Sequence, residues 1–428
     1  MREKFVIKGG KKLSGSIPVM GAKNSATSIL AATLLTEKNC YLDNLPKIKD
    51  VLVMIDILKS LGSQIEWQSE KMVKINNQNV SWQKIDFSLI NKLRSSILFL
   101  GPLLAKFGKL KISQPGGCLI GARPLDTHLD VFETFGFEIK RKDNFLFFEK
   151  KKNWEGGEVV LKEFSVTATE NAMIFASFFE KKTIIKTAAL EPYIQDLAKF
   201  LRKLGVKIKF LFDHQIEIFG KKNLAGAKHF LIFDPIEAGT FIALSLASKS
   251  SLVIENIQPE FLTSVFKKVK EIGAELELKE RREGIFNLKV IPTRKLNSFK
   301  LQTLPYPGFP TDLQASFGVV ATQAEGVSFI SDPLYEGRLK YLEELIRMGA
   351  KAVVCNPHQA LIVGPVSLYG QKIVGYDLRA GASLALAGLI ASGKTEIFQV
   401  EQVDRGYQEI EKRLQTIGAD IKRIKDQI

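Results

Sequence analysis

Ile55-Asp56-Ile57-Leu58-Lys59-Ser60-Leu61-Gly62-Ser63-Gln64-Ile65-Glu66-Trp67 changes its period halfway along. Up to Leu61 the apolar side chains recur at helical spacing, and from Gln64 they alternate, so the stretch reads as a helix, a stop and a short strand with one face on a core. The stop is Gly62, because a residue that closes a helix in the left-handed region is unstrained only when it lacks a Cβ. The same step recurs at Gly136, Gly205, Gly273, Gly349 and Gly418, at intervals of 74, 69, 68, 76 and 69 residues. Upstream of each Gly-terminated helix the pattern predicts a second, more apolar one, at residues 25–35, 95–105, 171–179, 238–247, 313–321 and 381–391. A helix that is apolar nearly all round is buried, whereas the Gly-terminated helices keep a polar face for solvent. The expected fold is therefore α/β in the α+β sense: six repeated units whose sheets wrap inner helices. Three units per domain make two lobes, with a ligand cleft expected between them.

The composition agrees with an ordinary folded chain. It has 428 residues, 45% hydrophobic and 25% charged, which excludes disordered, collagen-like and coiled-coil classes. There are 61 Lys and Arg against 46 Asp and Glu, a net charge of +15. The excess is spread through pairs such as Lys11-Lys12 and Lys181-Lys182, with no basic tail and no basic run interleaved with aromatics. That distribution suits anionic small molecules better than nucleic acid, which is not expected as a partner. Cys40, Cys118 and Cys355 form no CxxC pair, which fits a reducing compartment. No signal peptide and no apolar run of membrane-spanning length is read, so the expected location is cytoplasmic.

Gly388-Leu389-Ile390-Ala391-Ser392-Gly393-Lys394-Thr395 matches the phosphate-loop pattern GxxxxGK[ST] in letters only. That loop must leave a strand and open a helix. Here an apolar helix comes first, Gly393 is read as its cap, and a strand follows. The four histidines have no metal-ligand spacing, and His214 and Glu217, three apart in an alternating stretch, face opposite ways. No metal is expected.

Gln114-Pro115-Gly116-Gly117-Cys118-Leu119-Ile120-Gly121-Ala122-Arg123-Pro124 cannot be regular structure, and its Gly and Pro content reads as a mobile loop. A thiol there, with Arg123 five residues away, suits a nucleophile or an acid. Gly21-Ala22-Lys23-Asn24-Ser25 places a cation and an amide before a buried helix, whose free N–H groups also favour an anion. Similar polar openings are read at Arg94, Glu170-Asn171, Glu237, Thr311-Asp312 and Asp377-Leu378-Arg379. If the repeats bring these ends together, Lys23, Arg94, Arg123, Arg338, Arg379 and Arg405 make a multiply cationic site.

At these residues the chain resembles the UDP-N-acetylglucosamine 1-carboxyvinyltransferases, a family of enolpyruvyl transferases. The resemblance spans nearly the whole length. It rests on Gly21-Ala22-Lys23-Asn24, Pro115-Gly116-Gly117-Cys118, Gly121-Ala122-Arg123-Pro124, Phe309-Pro310-Thr311-Asp312-Leu313-Gln314-Ala315, Asp377-Leu378-Arg379-Ala380-Gly381 and Asp404-Arg405-Gly406-Tyr407. It implies a two-domain inside-out α/β barrel, with residues 22–232 as one domain and 1–21 plus 233–428 as the other. It also implies transfer of the enolpyruvyl group of phosphoenolpyruvate to the 3-hydroxyl of UDP-N-acetylglucosamine, releasing phosphate, with no cofactor.

The resemblance makes Cys118 the general acid, Asp312 the base beside the sugar hydroxyl, and Lys23 and Arg405 catalytic cations. It places Lys23, Asn24, Arg123, Arg338, Arg379 and Arg405 around phosphoenolpyruvate. Arg94, Arg123, Pro124, Leu125, Asp126, Thr127, Ser165, Val166, Asp312 and Leu334 fall around the nucleotide sugar. The chain departs from the family pattern at Gly337, where Asn is common, and at Glu163, where Lys is common. The rival readings are the sister transferase acting on shikimate 3-phosphate, which lacks the Cys118 loop, an inactive nucleotide-sugar binder, and a basic nucleic-acid-binding protein.

Overall fold

The computed structural model describes residues 3–113, 116 and 125–425. They form two compact units. The first joins the N-terminal segment up to Met20 to everything from Phe233 onward, and the second lies between Gly21 and Ile232. Each unit has its own core and, among the described residues, three sheets, none of them closed.

The periods read from the sequence reappear as elements. Lys49–Leu61 is a helix capped by Gly62 at φ 106°, followed by the strand Gln64–Trp67. A Cβ on Gly62 would also lie 2.4 Å from the carbonyl oxygen of Asn79, so the position excludes side chains twice over. The other five glycines of the series also have positive φ. In the second unit the buried helices Lys23–Ala32, Leu100–Phe107 and Val166–Ala176 pack on one another; in the first, Pro235–Ala247, Gln314–Ala321 and Leu378–Ile390 do. Every residue of Pro235–Ala247 is buried, which accounts for its lack of a polar face. Small residues allow the close approach: the Ser316 and Ser383 hydroxyls bond at 2.9 Å between two of these helices.

Buried helices link parallel strands. Gly157–Val160 and Lys182–Lys186 run parallel on either side of Val166–Ala176 in sequence, and Lys372–Val374 and Lys394–Phe398 flank Leu378–Ile390 in the same way. Where the chain leaves one unit for the other, the partners are exchanged. Gly15–Pro18 pairs in parallel with Leu252–Ile257, while Cys40–Asp43 takes Ala227–Phe230. The N-terminal strand Glu3–Lys8 lies between Lys394–Phe398 and Asp420–Lys425, antiparallel to both.

Several boundaries differ from expectation. The third inner helix starts at Val166, so Glu170 and Asn171 lie within it and its opening is Ser165. The second and fifth inner helices begin as 3₁₀ turns, Arg94–Phe99 and Thr311–Leu313. Helix Leu378–Ile390 is capped by Ala391, and Gly393, at φ 85°, lies two residues further on, leading into strand Lys394–Phe398. His214 is in the hairpin turn before strand Gln215–Phe219, at φ 55°, instead of within the strand.

Candidate active site

In the second unit the Gly21-Ala22-Lys23-Asn24 motif opens a buried helix without a side-chain cap. Gly21 is required by crowding, since a Cβ there would sit 1.8 Å from the Asn44 carbonyl oxygen. Lys23 is the first helical residue, and its ammonium pairs with Asp50 at 2.8 Å, with both side chains largely buried. Sequence reasoning misses Asp50. It belongs to the first turn of Lys49–Leu61, and no spacing in the sequence ties it to Lys23.

Arg94 begins the 3₁₀ turn Arg94–Phe99. Nearby, helix Asp126–Thr134 brings three of the expected nucleotide-sugar residues together, with Leu125 as its N-cap. Asp126 is exposed and pairs with Arg141 at 3.0 Å. Thr127 is buried, and its hydroxyl donates to the Glu163 carboxylate at 3.0 Å, joining this helix to the segment before Ser165. Ser165 caps helix Val166–Ala176, its hydroxyl accepting from the Ala168 N–H at 3.4 Å, and Val166 follows as the first helical residue. Cys118, Arg123 and Pro124 lie outside the described residues.

His128 holds these elements in register. Its Nε2 meets the Thr167 hydroxyl at 3.0 Å and its Nδ1 the Asn171 amide at 3.1 Å. The same amide donates to the Ile97 carbonyl at 3.0 Å and accepts from the Gly101 N–H at 2.8 Å. The network assigns the proton to Nε2, because the Asn171 nitrogen has only hydrogens to offer Nδ1. Burial, with the Arg94 charge adding to it, lowers the His128 pKa to about 3.

A histidine neutral when folded, but protonated near pH 6.5 when unfolded, makes stability fall as pH drops from 6.5 toward 3. Between pH 7 and pH 5 the loss from this one group is about 2 kcal/mol. Denaturant unfolding at the two pH values, on the wild type and on His128→Gln, checks this: the wild type should lose that much more than the variant, and equal losses would refute the assignment.

In the first unit the geometry is tighter. Asp312, in the turn Thr311–Leu313, sets one carboxylate oxygen 2.5 Å from Arg338 Nη2 and the other 3.0 Å from Arg379 Nε. Both arginines are buried, while Asp312 is a quarter exposed. Arg338 opens the 3₁₀ turn Arg338–Lys340. Arg379 lies in the first turn of Leu378–Ile390, where Asp377 caps both its N–H and that of Ala380. Burial works against the Arg379 charge, but Tyr407, Asp312 and Asp234 outweigh it and raise its proton affinity. Arg338 is raised likewise, by Asp312, Asp377, Tyr335 and Asp332 against burial. Both stay cationic throughout the physiological range.

The Tyr407 ring lies 5.4 Å from the Arg379 guanidinium and its hydroxyl meets Thr240 at 2.8 Å. Arg405, two residues earlier, ends the turn Val400–Arg405 and donates to Gln402 at 3.3 Å. Leu334, over a third exposed, donates its N–H to Asp332, whose other oxygen takes the Thr311 hydroxyl at 2.6 Å. Asp332, like Asp50, carries no signal in the sequence.

Two donors remain unsatisfied in this group: Arg338 Nε and Arg379 Nη1 are buried and without a hydrogen-bond partner among the described residues. Buried guanidinium N–H groups cost free energy when unpaired, so their place is next to an anion. No group of three or more His, Cys, Asp or Glu able to hold a metal ion occurs among the described residues, and none of their helices is long and apolar enough to cross a membrane.

Comparison with known proteins bears on the same conclusion. The family model of EPSP synthase (3-phosphoshikimate 1-carboxyvinyltransferase) matches residues 7–414. A UDP-N-acetylglucosamine 1-carboxyvinyltransferase of Halothermothrix orenii is 42% identical over 99% of this chain and 100% of its own. The protein of the same name from Finegoldia magna is 39% identical over 99% of both chains. The solved enolpyruvyl transferase NikO from Streptomyces tendae superposes with a TM-score of 0.88 over 99% of each chain, at 21% identity, a likeness of fold. Matched over nearly its whole length by these relatives, the chain belongs to the EPSP synthase family of enolpyruvyl transferases, on the branch that bears the name UDP-N-acetylglucosamine 1-carboxyvinyltransferase.

Proposed function

We propose that this enzyme transfers the enolpyruvyl group of phosphoenolpyruvate to the 3-hydroxyl of UDP-N-acetylglucosamine, the first committed step of peptidoglycan synthesis, in the cytoplasm. The observation that carries the reading is the Asp312–Arg338–Arg379 group with its two unpaired guanidinium donors. A substrate with a phosphate and a carboxylate needs such donors, and a hydroxyl nucleophile needs a carboxylate beside them. We read the fold further as an inside-out α/β barrel of six units, three in residues 22–232 and three in 1–21 with 233–428.

The reaction is an addition followed by an elimination. Phosphoenolpyruvate is protonated at C3, the 3-hydroxyl oxygen bonds to C2, and the hydroxyl proton passes to a base. The tetrahedral adduct then loses a C3 proton and the C2–O bond to phosphate. Asp312 is the base for the hydroxyl, and Cys118 supplies the proton to C3. Lys23, Asn24, Arg123, Arg338, Arg379 and Arg405 hold the phosphate and carboxylate, and they stabilise the charge that grows on the departing phosphate. Arg94, Arg123, Pro124, Leu125, Asp126, Ser165, Val166 and Leu334 bind the nucleotide sugar. Thr127, buried, acts through Glu163 in shaping that site.

Phosphate release from phosphoenolpyruvate, measured with UDP-N-acetylglucosamine in one series and shikimate 3-phosphate in another, tests the reading. Release only in the first is expected, and release only in the second would move the acceptor to the sister reaction. Cys118→Ala should also abolish covalent labelling by a small epoxide such as fosfomycin, seen as loss of the mass increase on the intact protein. Labelling that persists would place the reactive group elsewhere.

A further inference from the structure

We infer that Arg423 is a positioning residue: through the carboxylate of Asp404 it fixes the turn that presents Arg405 to phosphoenolpyruvate. The inference rests on the proposed function, in which Arg405 is one of the cations that hold that substrate.

Arg423 lies in strand Asp420–Lys425, directly opposite Phe5 of the N-terminal strand, and its guanidinium carbon is 5.0 Å from the centre of the Phe5 ring. Carboxylates from three different elements meet it. Glu411, in helix Ile410–Thr416, accepts from Nε at 2.7 Å and from Nη2 at 3.2 Å. Glu3 accepts from Nη1 at 2.9 Å. Asp404 accepts from Nη1 at 3.0 Å with one oxygen and from Nη2 at 2.5 Å with the other. A guanidinium has five N–H groups, and these five contacts engage them all. Burial works against the Arg423 charge, but the three carboxylates outweigh it and raise its proton affinity. An isolated ion pair to a carboxylate as exposed as Asp404 would hold little, because two long side chains must be ordered to make it. Here Glu411, Glu3 and the Phe5 ring have already ordered Arg423, so Asp404 meets a fork set in place.

Asp404 and Arg405 are the last two residues of the 3₁₀ turn Val400–Arg405. In such a turn positions three apart lie above one another. Val400 and Val403 therefore share one face, and both are fully buried. Val403 packs on the helix that carries Arg379, since a Cβ added to Gly381 would come 2.8 Å from its Cγ2. Gln402 and Arg405 share a second face, where their side chains bond at 3.3 Å. Asp404 belongs to the third, and Arg423 ties it to the sheet. With one face packed in the core and another held by a fixed guanidinium, the direction from which Arg405 leaves the backbone is set. Glu411 holds the same guanidinium, but its helix carries none of the residues placed around the substrates. The two carboxylates thus share a structural role and differ in the one they have toward Arg405.

Phosphate release with phosphoenolpyruvate and UDP-N-acetylglucosamine varied in turn tests this, with a melting curve on each protein. Asp404→Asn keeps the shape and removes the charge that Arg423 holds. It should lower kcat/KM for phosphoenolpyruvate by about tenfold and change KM for UDP-N-acetylglucosamine by less than about twofold. Arg423→Lys, which keeps the charge without the fork, should give the same selective loss. Glu411→Gln removes an equal charge from the same guanidinium; it should lower the melting temperature about as much as Asp404→Asn, with kcat/KM within about twofold of wild type. Arg405→Lys sets the scale and should lose at least as much as Asp404→Asn. Equal losses in Asp404→Asn and Glu411→Gln would reduce the effect to stability and overturn the inference, as would an unchanged Asp404→Asn or an equal loss for both substrates. An unchanged Arg405→Lys would take Arg405 away from phosphoenolpyruvate, and the inference with it, while the acceptor assignment stands. A wild type that releases no phosphate with UDP-N-acetylglucosamine would overturn the proposed function and the inference together.

Discussion

Asp312→Ala is expected to lower turnover by about a thousandfold while leaving the affinity for UDP-N-acetylglucosamine within about threefold of wild type. The reason is the difference between binding and chemistry. In the proposed function the nucleotide sugar is held mainly by residues of the second unit, around Asp126, Ser165 and Val166, and these elements are fixed by the His128–Asn171 network without help from Asp312. In the same proposal the carboxylate is the proton acceptor for the 3-hydroxyl, a group that matters only when the oxygen attacks, and the substitution removes it. It also leaves Arg338 and Arg379 without their shared partner, which destabilises the first unit because a buried cation has lost its counter-ion. The two effects separate by experiment: circular dichroism and a melting curve report the fold, calorimetry the nucleotide sugar, and phosphate release the turnover. A folded variant that keeps more than about a tenth of wild-type turnover would remove Asp312 from the role of base.

What the sequence discloses and what it conceals follow from the range of the interaction involved. Gly62 and the five glycines of its series are legible because a left-handed helix end is a local demand on one residue, and the alternation after each is local too. The family motifs are legible for the same reason, since each is contiguous. The exchange of strand partners is different. Nothing within Gly15–Pro18 says that it pairs with Leu252–Ile257 instead of Cys40–Asp43, because parallel pairing is decided by where the chain changes unit. The start of the third inner helix is hidden because Ser165, Thr167 and Thr169 look like loop residues; in the fold Ser165 is the cap and the Thr169 hydroxyl donates to its carbonyl at 2.8 Å. The partners of the site residues are the least visible. Asp50 lies far along the chain from Lys23, and Asp332 meets Arg338 and Thr311 only through the fold, so their roles emerge with the side-chain geometry and not before it.

Arg379→Lys should lower kcat/KM for phosphoenolpyruvate by about a hundredfold or more, with KM for UDP-N-acetylglucosamine changed less than about twofold. The substitution keeps the positive charge, so a site that needed only charge would tolerate it. Arg379 does more than carry charge. Its Nε holds Asp312 at 3.0 Å, its Nη1 is a buried donor without a hydrogen-bond partner among the described residues, and its guanidinium carbon lies 5.4 Å from the centre of the Tyr407 ring. An ammonium on a flexible stem cannot reproduce two donors in fixed directions. Losing one or two charge-assisted hydrogen bonds, each contributing about 1.5–3 kcal/mol, corresponds to a loss of that hundredfold order. Because the buried Asp234 and Tyr407 keep a cation beside them in the variant, the fold should survive with a modest loss of melting temperature. Steady-state kinetics with each substrate varied in turn reads the result. Full activity would show that Arg379 acts as a charge alone, and an equal loss for both substrates would show that it supports the site as a whole instead of holding the transferred group.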